Sequence, residues 1–343
     1  MRITILYKCI ALLLISILAA ASYLYYCINL PLNIVSDKAP FEVNRGDNIS
    51  KVANRLNQAG ILQHPELFIL FAYMAGDASN IKAGEYLLDV DLTPSKLLQK
   101  FTSGDVVKRQ ITFLEGWTFR QILEELKRNT TIDITSKDLS SNIIMEKLGF
   151  GGEYPEGRFF PDSYRYEKGT TDLTILQKAH ERMGMILQEE WQQRDTNLPY
   201  KNSYDALIMA SIIEKETGAP SERSRIASVF INRLKKGMPL QTDPTVIYGM
   251  GDSYKGNLTR ADLQRDTPYN TYVRTGLPPT PIANPSREAI HAALHPASDS
   301  ALYFVGKGDG THYFSQTLTE HNKAVRQYQL NRNNDNYRSS PSR

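Results

Sequence analysis

Cysteine is nearly absent from this chain: Cys9 and Cys27 are the only two among 343 residues. Both fall in an apolar N-terminal stretch, so the remainder can have neither a disulfide framework nor a cysteine metal site. An excess of charge is lacking too. The 40 lysines and arginines face 37 aspartates and glutamates, for a formal net charge of +3, and no dense basic tract occurs. Such a balance supplies no electrostatic footprint for nucleic acid. There is also no glycine-rich phosphate loop and no Gly-x-Ser-x-Gly elbow, which argues against nucleotide-dependent chemistry and against a serine hydrolase of that type. No cofactor is expected.

One long hydrophobic run is present. No charged residue lies between Cys9 and Ser36, and Ile10 to Leu30 is apolar except for Ser16, Ser22 and Asn29. A bilayer-spanning helix needs about 20 such residues. Tyr23, Tyr25 and Tyr26 lie toward one end, where aromatic rings favour the membrane interface. Arg2 and Lys8 precede the run, which places the N-terminus (1–9) in the cytoplasm and the rest outside it, with 10–30 as a single anchor in the inner membrane. A cleaved signal peptide is the alternative, with Ala19-Ala20-Ala21 as its site, but the apolar run continues past that point to Leu30. Cys27 follows Leu24-Tyr25-Tyr26, which lacks the small residues of a lipidation site.

The remaining 300 or so residues allow two modest domains. Residues 31–40, with Pro31 and Pro40, read as a linker. An internal repeat follows, offset by 70 positions: Phe41, Val43, Gly46, Ile49, Val52, Ala53 and Leu56 recur as Ile111, Phe113, Gly116, Phe119, Ile122, Leu123 and Leu126. Each copy predicts a short strand, a glycine turn and a helix with an apolar stripe. Residues 127–200 mix helical patterns with the segment Pro155 to Tyr164, whose prolines, glycine and aromatics predict an ordered surface loop. Two strands around the glycine-rich stretch 306–310 predict a hairpin, followed by a helix that Thr319 can cap. The polar tail 331–343 has no apolar period and reads as disordered.

The densest chemical signal is Leu207 to Glu216. Leu207, Ala210, Ser211 and Glu214 share one helical face, and Met209, Ile212, Ile213 and Glu216 share the next. With both faces apolar, the helix should be buried nearly all round and should end near Gly218 and Pro220. Ser221 can cap the following helix, whose stripe is Ile226, Val229, Phe230 and Leu234. Carboxyls at the end of a buried helix are costly to ionise, because burial and the helix dipole both disfavour the charge. A glutamic acid kept protonated near neutral pH can serve as a general acid. The competing reading has both glutamates paired with Arg223, Arg225 or Arg233. Downstream, 240–249, 268–272 and 275–285 hold hydrogen-bonding side chains and tyrosines in proline-rich segments that read as binding loops. His291 and His295 share a helical face, but the intervening residues lack the glutamate of a His-Glu-x-x-His motif and Pro296 stops the helix, so no metal site is expected.

Two resemblances follow from these residues. Val43-Asn44-Arg45-Gly46-Asp47-Asn48-Ile49-Ser50 resembles the opening of a LysM module, with Asn48 standing where that family usually has a hydroxyl residue. The resemblance implies a LysM-like βα subdomain over 41–105 and contact with N-acetylglucosamine-containing glycans. Over nearly the whole chain, Ala210 to Thr217, Ala227 to Leu234, Leu240-Gln241-Thr242-Asp243-Pro244-Thr245, Tyr269-Asn270-Thr271-Tyr272, Gly276 to Ile282 and Glu156 to Tyr164 resemble the YceG-like, or endolytic murein transglycosylase, family. His295-Pro296-Ala297, Tyr303-Phe304-Val305 and His321-Asn322 add to that match.

The family resemblance implies an α+β fold with a second strand-turn-helix region over 106–200 and a mixed α/β catalytic domain over 201–330. It implies cleavage of the MurNAc–GlcNAc bond within nascent glycan strands, leaving 1,6-anhydroMurNAc ends and limiting strand length. Partners implied are peptidoglycan strands, the membrane and peptidoglycan polymerases. The catalytic residue implied is Glu214, acid and then base, while Gln241, Thr242, Asp243, Tyr269, Asn270 and Glu216 are the expected substrate-binding residues. A non-catalytic glycan-binding scaffold, or a hydrolase using Asp243 or Asp162 as a second carboxylate, are the competing functions.

Overall fold

The computed structural model describes residues 2–216 and 219–330. The expectations for Gly218 and for the tail 331–343 lie outside the described residues. The described chain mixes helices with strands that occur only as short pairs, in two compact units: the described residues up to 109 with 165–168, and 110–164 with the described residues from 169 to 330.

The first unit opens with α1 (Arg2–Asn29), whose apolar span Ile5–Asn29 holds an 18-residue stretch with a mean hydropathy of 2.2. Those 25 residues span about 38 Å at 1.5 Å per residue, more than the roughly 30 Å of a hydrocarbon core. Leu12, Leu14, Ile15 and Leu18 are all exposed on it, an apolar surface that water does not favour. Next come β1 (Lys38–Val43), α2 (Ile49–Gln58), α3 (Pro65–Met74), β2 (Gly84–Asp89) and α4 (Pro94–Ser103). β1 and β2 pair antiparallel with Phe41 opposite Tyr86. Gly46, at φ 81°, makes the turn after β1, and Asn48 caps α2 by accepting the Lys51 amide at 2.9 Å. The predicted stripe Ile49, Val52, Ala53 and Leu56 is buried against Phe68, Tyr86 and Phe101. Residues 31–40 are packed rather than a free linker: Leu32 and Ile34 join this core, and the Leu32 amide donates to Leu92 O at 2.8 Å.

The second copy of the repeat is β3 (Lys108–Thr112), Gly116 at φ 72° and α5 (Phe119–Arg128). Thr118 and Gln121 form a reciprocal capping box, and Ile122 and Leu126 are buried while Leu123 is half-buried. There follow β4 (Ile132–Asp133), α6 (Ser141–Lys147), β5 (Ser163–Glu167), β6 (Thr170–Thr171), α7 (Asp172–Gln192), α8 (Ser203–Glu216), α9 (Arg223–Lys235), α10 (Asp243–Met250), α11 (Arg260–Gln264), α12 (Arg287–Leu294), β7 (Tyr303–Gly306), β8 (His312–Ser315) and α13 (Leu318–Val325). β4 pairs with β6 in parallel, and β7 with β8 antiparallel as the predicted hairpin.

The core of the second unit forms around α8. Every residue from Ala206 to Ile213 is buried, packed with Met183, Ile186 and Leu187 of α7, Ile226 and Phe230 of α9, and Ile290 and Leu294 of α12. Fully burying one such Leu or Ile side chain is worth about 1.5–3 kcal/mol, so a helix apolar on every face is held in the middle of its neighbours.

Four local expectations are corrected. Ser221 does not cap α9: Pro220–Glu222 form a 3₁₀ turn that runs straight into the helix behind Glu222. Thr317, not Thr319, caps α13, because its side chain accepts the Glu320 amide while Glu320 reaches back. Residues 243–250 are helical rather than loop, since Pro244 sits in the first turn, where its missing N–H costs nothing. The segment 155–164 is not a surface loop: Pro155, Glu156, Gly157, Phe159, Phe160, Pro161 and Tyr164 are buried. Its backbone is satisfied from far away in sequence, the Phe159 amide donating to Asn284 Oδ1 at 2.9 Å, and a Cβ on Gly157 would lie 2.5 Å from Pro281 Cβ.

Candidate active site

α8 delivers Glu214 and Glu216 from its last turn. Residues two apart on a helix point about 200° apart, so the two carboxyls enter different surroundings. Glu214 points into packed protein. Its Oε2 accepts the Ser286 amide at 2.9 Å and the Ser286 hydroxyl, and the Arg223 Nη2 stands 3.9 Å from Oε1. Its side chain is only 7 % exposed. The Gly116 turn closes over this end, with a Cβ at Gly116 lying 3.6 Å from Glu214 Cγ and Lys215 Nζ donating to Gly116 O at 3.3 Å. Glu115 nearby is pushed up by burial and then by the charges of Glu214 and Glu288, against the pull of Arg223.

Glu216 faces a cleft of about 710 Å³ whose lining includes Arg233, Gln241, Asp243, Tyr272, Tyr303 and His321. Its Oε1 accepts the Thr242 hydroxyl. Burial pushes the Glu216 carboxyl up to about 7; the Thr242 hydrogen bond opposes that shift and the Asp243 charge adds to it. Asp243 in turn accepts the Tyr272 hydroxyl at 2.6 Å. Arg233 frames the cleft without neutralising Glu216: its donors go to Leu302 O at 2.7 Å, Leu240 O at 2.9 Å, Pro239 O at 3.1 Å and Gln241 Oε1 at 3.2 Å. Gln241 adopts φ 53°, a left-handed conformation uncommon outside glycine, and such outliers cluster where a site over-determines its backbone. His321 stacks on Tyr303 with centroids 5.2 Å apart, and burial followed by the Arg233 charge lowers its pKa, leaving a neutral ring.

The structure therefore brings Glu216, Gln241, Thr242 and Asp243 together. It does not bring Glu214, Tyr269 or Asn270 into the lining of that cleft. The Tyr269 hydroxyl is 2.8 Å from Thr280 Oγ1 and its ring meets Tyr248 edge-on. Asn270 is 1 % exposed and spends its amide on the carbonyls of Asp262, Leu263 and Arg265, while its Oδ1 accepts the Tyr272 amide at 2.9 Å. It shapes the loop that presents Tyr272. Of the arginines that compete for the glutamates, only Arg223 faces one; Arg225 pairs with Asp299 at 2.8 Å. Asp162 pairs with Arg182 at 2.7 Å and is not among the cleft residues.

Several groups were not singled out by sequence. Arg233, Tyr272, Tyr303 and His321 line the cleft, and each falls inside a motif already noted, which was the available signal. Glu156 is a second buried carboxyl pushed up to about 7 by burial, against hydrogen bonds from the Phe119 amide at 2.9 Å and the Tyr248 hydroxyl at 3.1 Å. Chemically, the cleft presents an acid with a proton to give near neutral pH, one oxygen held by a hydroxyl, and a second carboxylate alongside.

Comparison with known proteins agrees with the motifs. The model of the YceG-like family matches residues 41–327. The chain is 34% identical over 305 residues to the endolytic murein transglycosylase of Bacillus subtilis (strain 168), covering 84% of each. It is 26% identical over 321 residues to the protein of that name from Streptococcus pneumoniae serotype 2 (strain D39 / NCTC 7466), covering 83% of this chain and 57% of the relative. A crystal structure of a YceG-like protein from Listeria monocytogenes superposes with a TM-score of 0.53 at 30% identity, over 84% of this chain and 98% of that one. With the family model matched over most of its length, the chain belongs to the YceG-like family.

Proposed function

We propose that the chain is a membrane-anchored endolytic lytic transglycosylase that cuts the MurNAc–GlcNAc bond inside peptidoglycan strands, with Glu216 as its acid and base. The single observation that carries this is Glu216 itself, a carboxyl pushed up to about 7 at the wall of an open polar cleft. The motif resemblance assigns catalysis to Glu214, but that carboxylate is engaged by Ser286 and faces Arg223, which suits a group holding α8 to α12. We assign Glu214 that positioning role.

In the reaction, Glu216 gives its proton to the glycosidic oxygen as the C1–O bond breaks. The resulting carboxylate takes the proton of the muramyl C6 hydroxyl, whose oxygen bonds to C1 and closes the 1,6-anhydro ring. No water is consumed, so a single carboxyl suffices where an ordinary glycosidase needs two. Thr242 orients the carboxyl, and the negative charge of Asp243 helps retain the proton until substrate arrives. Gln241, Tyr272 and Arg233 supply the polar wall for sugar hydroxyls.

Two further parts of the reading rest on the first unit. The β-α-α-β order with an antiparallel strand pair supports a LysM-like glycan-binding module. The length and hydropathy of Ile5–Asn29 support an anchor in the inner membrane with a cytoplasmic N-terminus, which keeps the cleft near the polymerases that extrude nascent strands.

Asp243 beside Glu216 favours one second reading, a hydrolase in which Asp243 activates water. Incubating the detergent-solubilised chain with uncrosslinked glycan strands and weighing the products separates them. Anhydro ends, one water lighter than reducing ends, are expected; reducing ends would point to hydrolysis, and uncut strands to a scaffold. Glu216→Gln should lower the rate at least about 100-fold, as loss of a general acid does. If Glu216→Gln keeps its activity while Glu214→Gln loses it, the assignment reverts to Glu214.

A further inference from the structure

α12 is tied down at both ends. At its start Ser286 holds Glu214; at its finish, about 12 Å along the axis, His291 and His295 meet the last turn of α7 and the residues just after it. His291 Nδ1 lies 2.8 Å from Glu190 Oε2, and His295 Nδ1 lies 3.1 Å from Asp195 Oδ1. The two imidazoles face each other with centroids 4.3 Å apart. By sequence the histidine pair lacked a third ligand; the fold supplies one from a residue about a hundred positions away.

We propose that Glu190, His291 and His295 form a binding site for one divalent transition-metal ion of the zinc class. One ligand atom from each of the three residues lies within 4.8 Å of the other two, a spacing that an ion with bonds of about 2.0–2.2 Å closes by small side-chain movements. Two imidazoles and a carboxylate suit zinc, cobalt or nickel better than magnesium or calcium, which prefer oxygen alone.

A second observation is independent of that spacing. The Asp195 carboxylate accepts from His295 Nδ1, which places the proton there and leaves a lone pair on Nε2. His295 Nε2 is buried and finds no hydrogen-bond partner among the described residues. An acceptor nitrogen left dry in this way is the arrangement by which an outer carboxylate prepares a histidine for a metal. Glu190 is prepared as well: Arg287 Nε holds its Oε1 at 2.8 Å and so turns Oε2 toward His291, while Glu189 meets the other side of the same guanidinium at 3.1 Å. The His291 side chain is 57% exposed, which gives the ion a path in.

None of these residues lines the cleft at Glu216, so the ion fastens α7 to α12 rather than taking part in bond cleavage. The test uses the full chain in detergent, purified without a histidine tag and stripped with a chelator. Titrated with Co(II), it should take up one equivalent and show the intense visible bands of a four- or five-coordinate ion, which Zn(II) then displaces. Saturating Zn(II) should raise the midpoint of thermal unfolding. Asp195→Asn should weaken Zn(II) about 10- to 100-fold, and the double variant His291→Ala/His295→Ala should abolish binding. A Co(II) spectrum that stays that of the hydrated ion overturns the proposal whatever the variants do, and so does stoichiometric binding that survives the double substitution.

Discussion

A carboxyl raised to about 7 is a cost to the fold wherever it is ionised, and two are found among the described residues, Glu216 and Glu156. At Glu216 the proposed role as acid and base uses that value, because a group near it can both give and recover a proton at neutral pH. Glu156 is not among the residues that line the Glu216 cleft: it is 4% exposed, and its carboxyl receives the Phe119 amide and the Tyr248 hydroxyl. Its folded pKa of about 7 exceeds its ordinary value of 4.5, so the folded protein holds more protons than the unfolded chain between those limits. The stability it contributes is therefore full below pH 4.5 and is lost as pH rises through 7. About 2.5 units at 1.36 kcal/mol each makes that loss on the order of 3 kcal/mol. Trp117 and Trp191, the two tryptophans of the chain, both lie in the second unit and report its unfolding. Urea titrations at pH 5 and pH 8 should show the second unit weaker at pH 8, and Glu156→Gln should remove much of that difference; an unchanged difference would mean that Glu156 is not its source.

Among the elements, α8 and α12 matter most to the site, since one delivers the glutamates and the other braces them. Ser286 is the joint. Its hydroxyl caps α12 by accepting the Ala289 amide at 3.3 Å and donates to Glu214 as well. Ser286→Ala removes a cap and leaves a buried carboxylate short of a donor, which together should cost about 1–3 kcal/mol. The same tryptophan fluorescence in urea reads it, and a loss below 0.5 kcal/mol (a value at the level of ordinary surface substitutions, about ±0.5) would show that the joint bears little load. The elements themselves were largely legible in the sequence. The stripe Ile49, Val52, Ala53 and Leu56 has helical spacing that no strand would share, and α8 advertises its burial by being apolar on every side. The cap of α13 was misplaced by two positions, because two threonines lie near that end and only the backbone decides which of them meets an unpaired N–H. The expected cap of α9 gave way to a 3₁₀ turn that leads into the helix without a side-chain cap.

For the whole molecule, the proposed membrane anchor rests on the apolar run. A 25-residue helix with exposed leucines along it has no aqueous environment that suits it, so deleting residues 2–30 should move the protein from the membrane pellet to the soluble fraction after cell lysis. Retention in the pellet after an alkaline wash would show that another surface holds the membrane. Composition, the apolar run, the strand-turn-helix repeat and the family motifs were determined by the sequence alone, because each depends on order and spacing along one stretch of chain. Which glutamate meets the cleft was not, since Glu214 and Glu216 differ only in helical phase and their partners, Ser286 and Thr242, come from 72 and 26 residues away. The buried Glu156 segment and the third ligand beside His291 and His295 escaped for the same physical reason: burial and ligand geometry are set by what the folded chain packs alongside a residue, and that neighbourhood exists only in three dimensions.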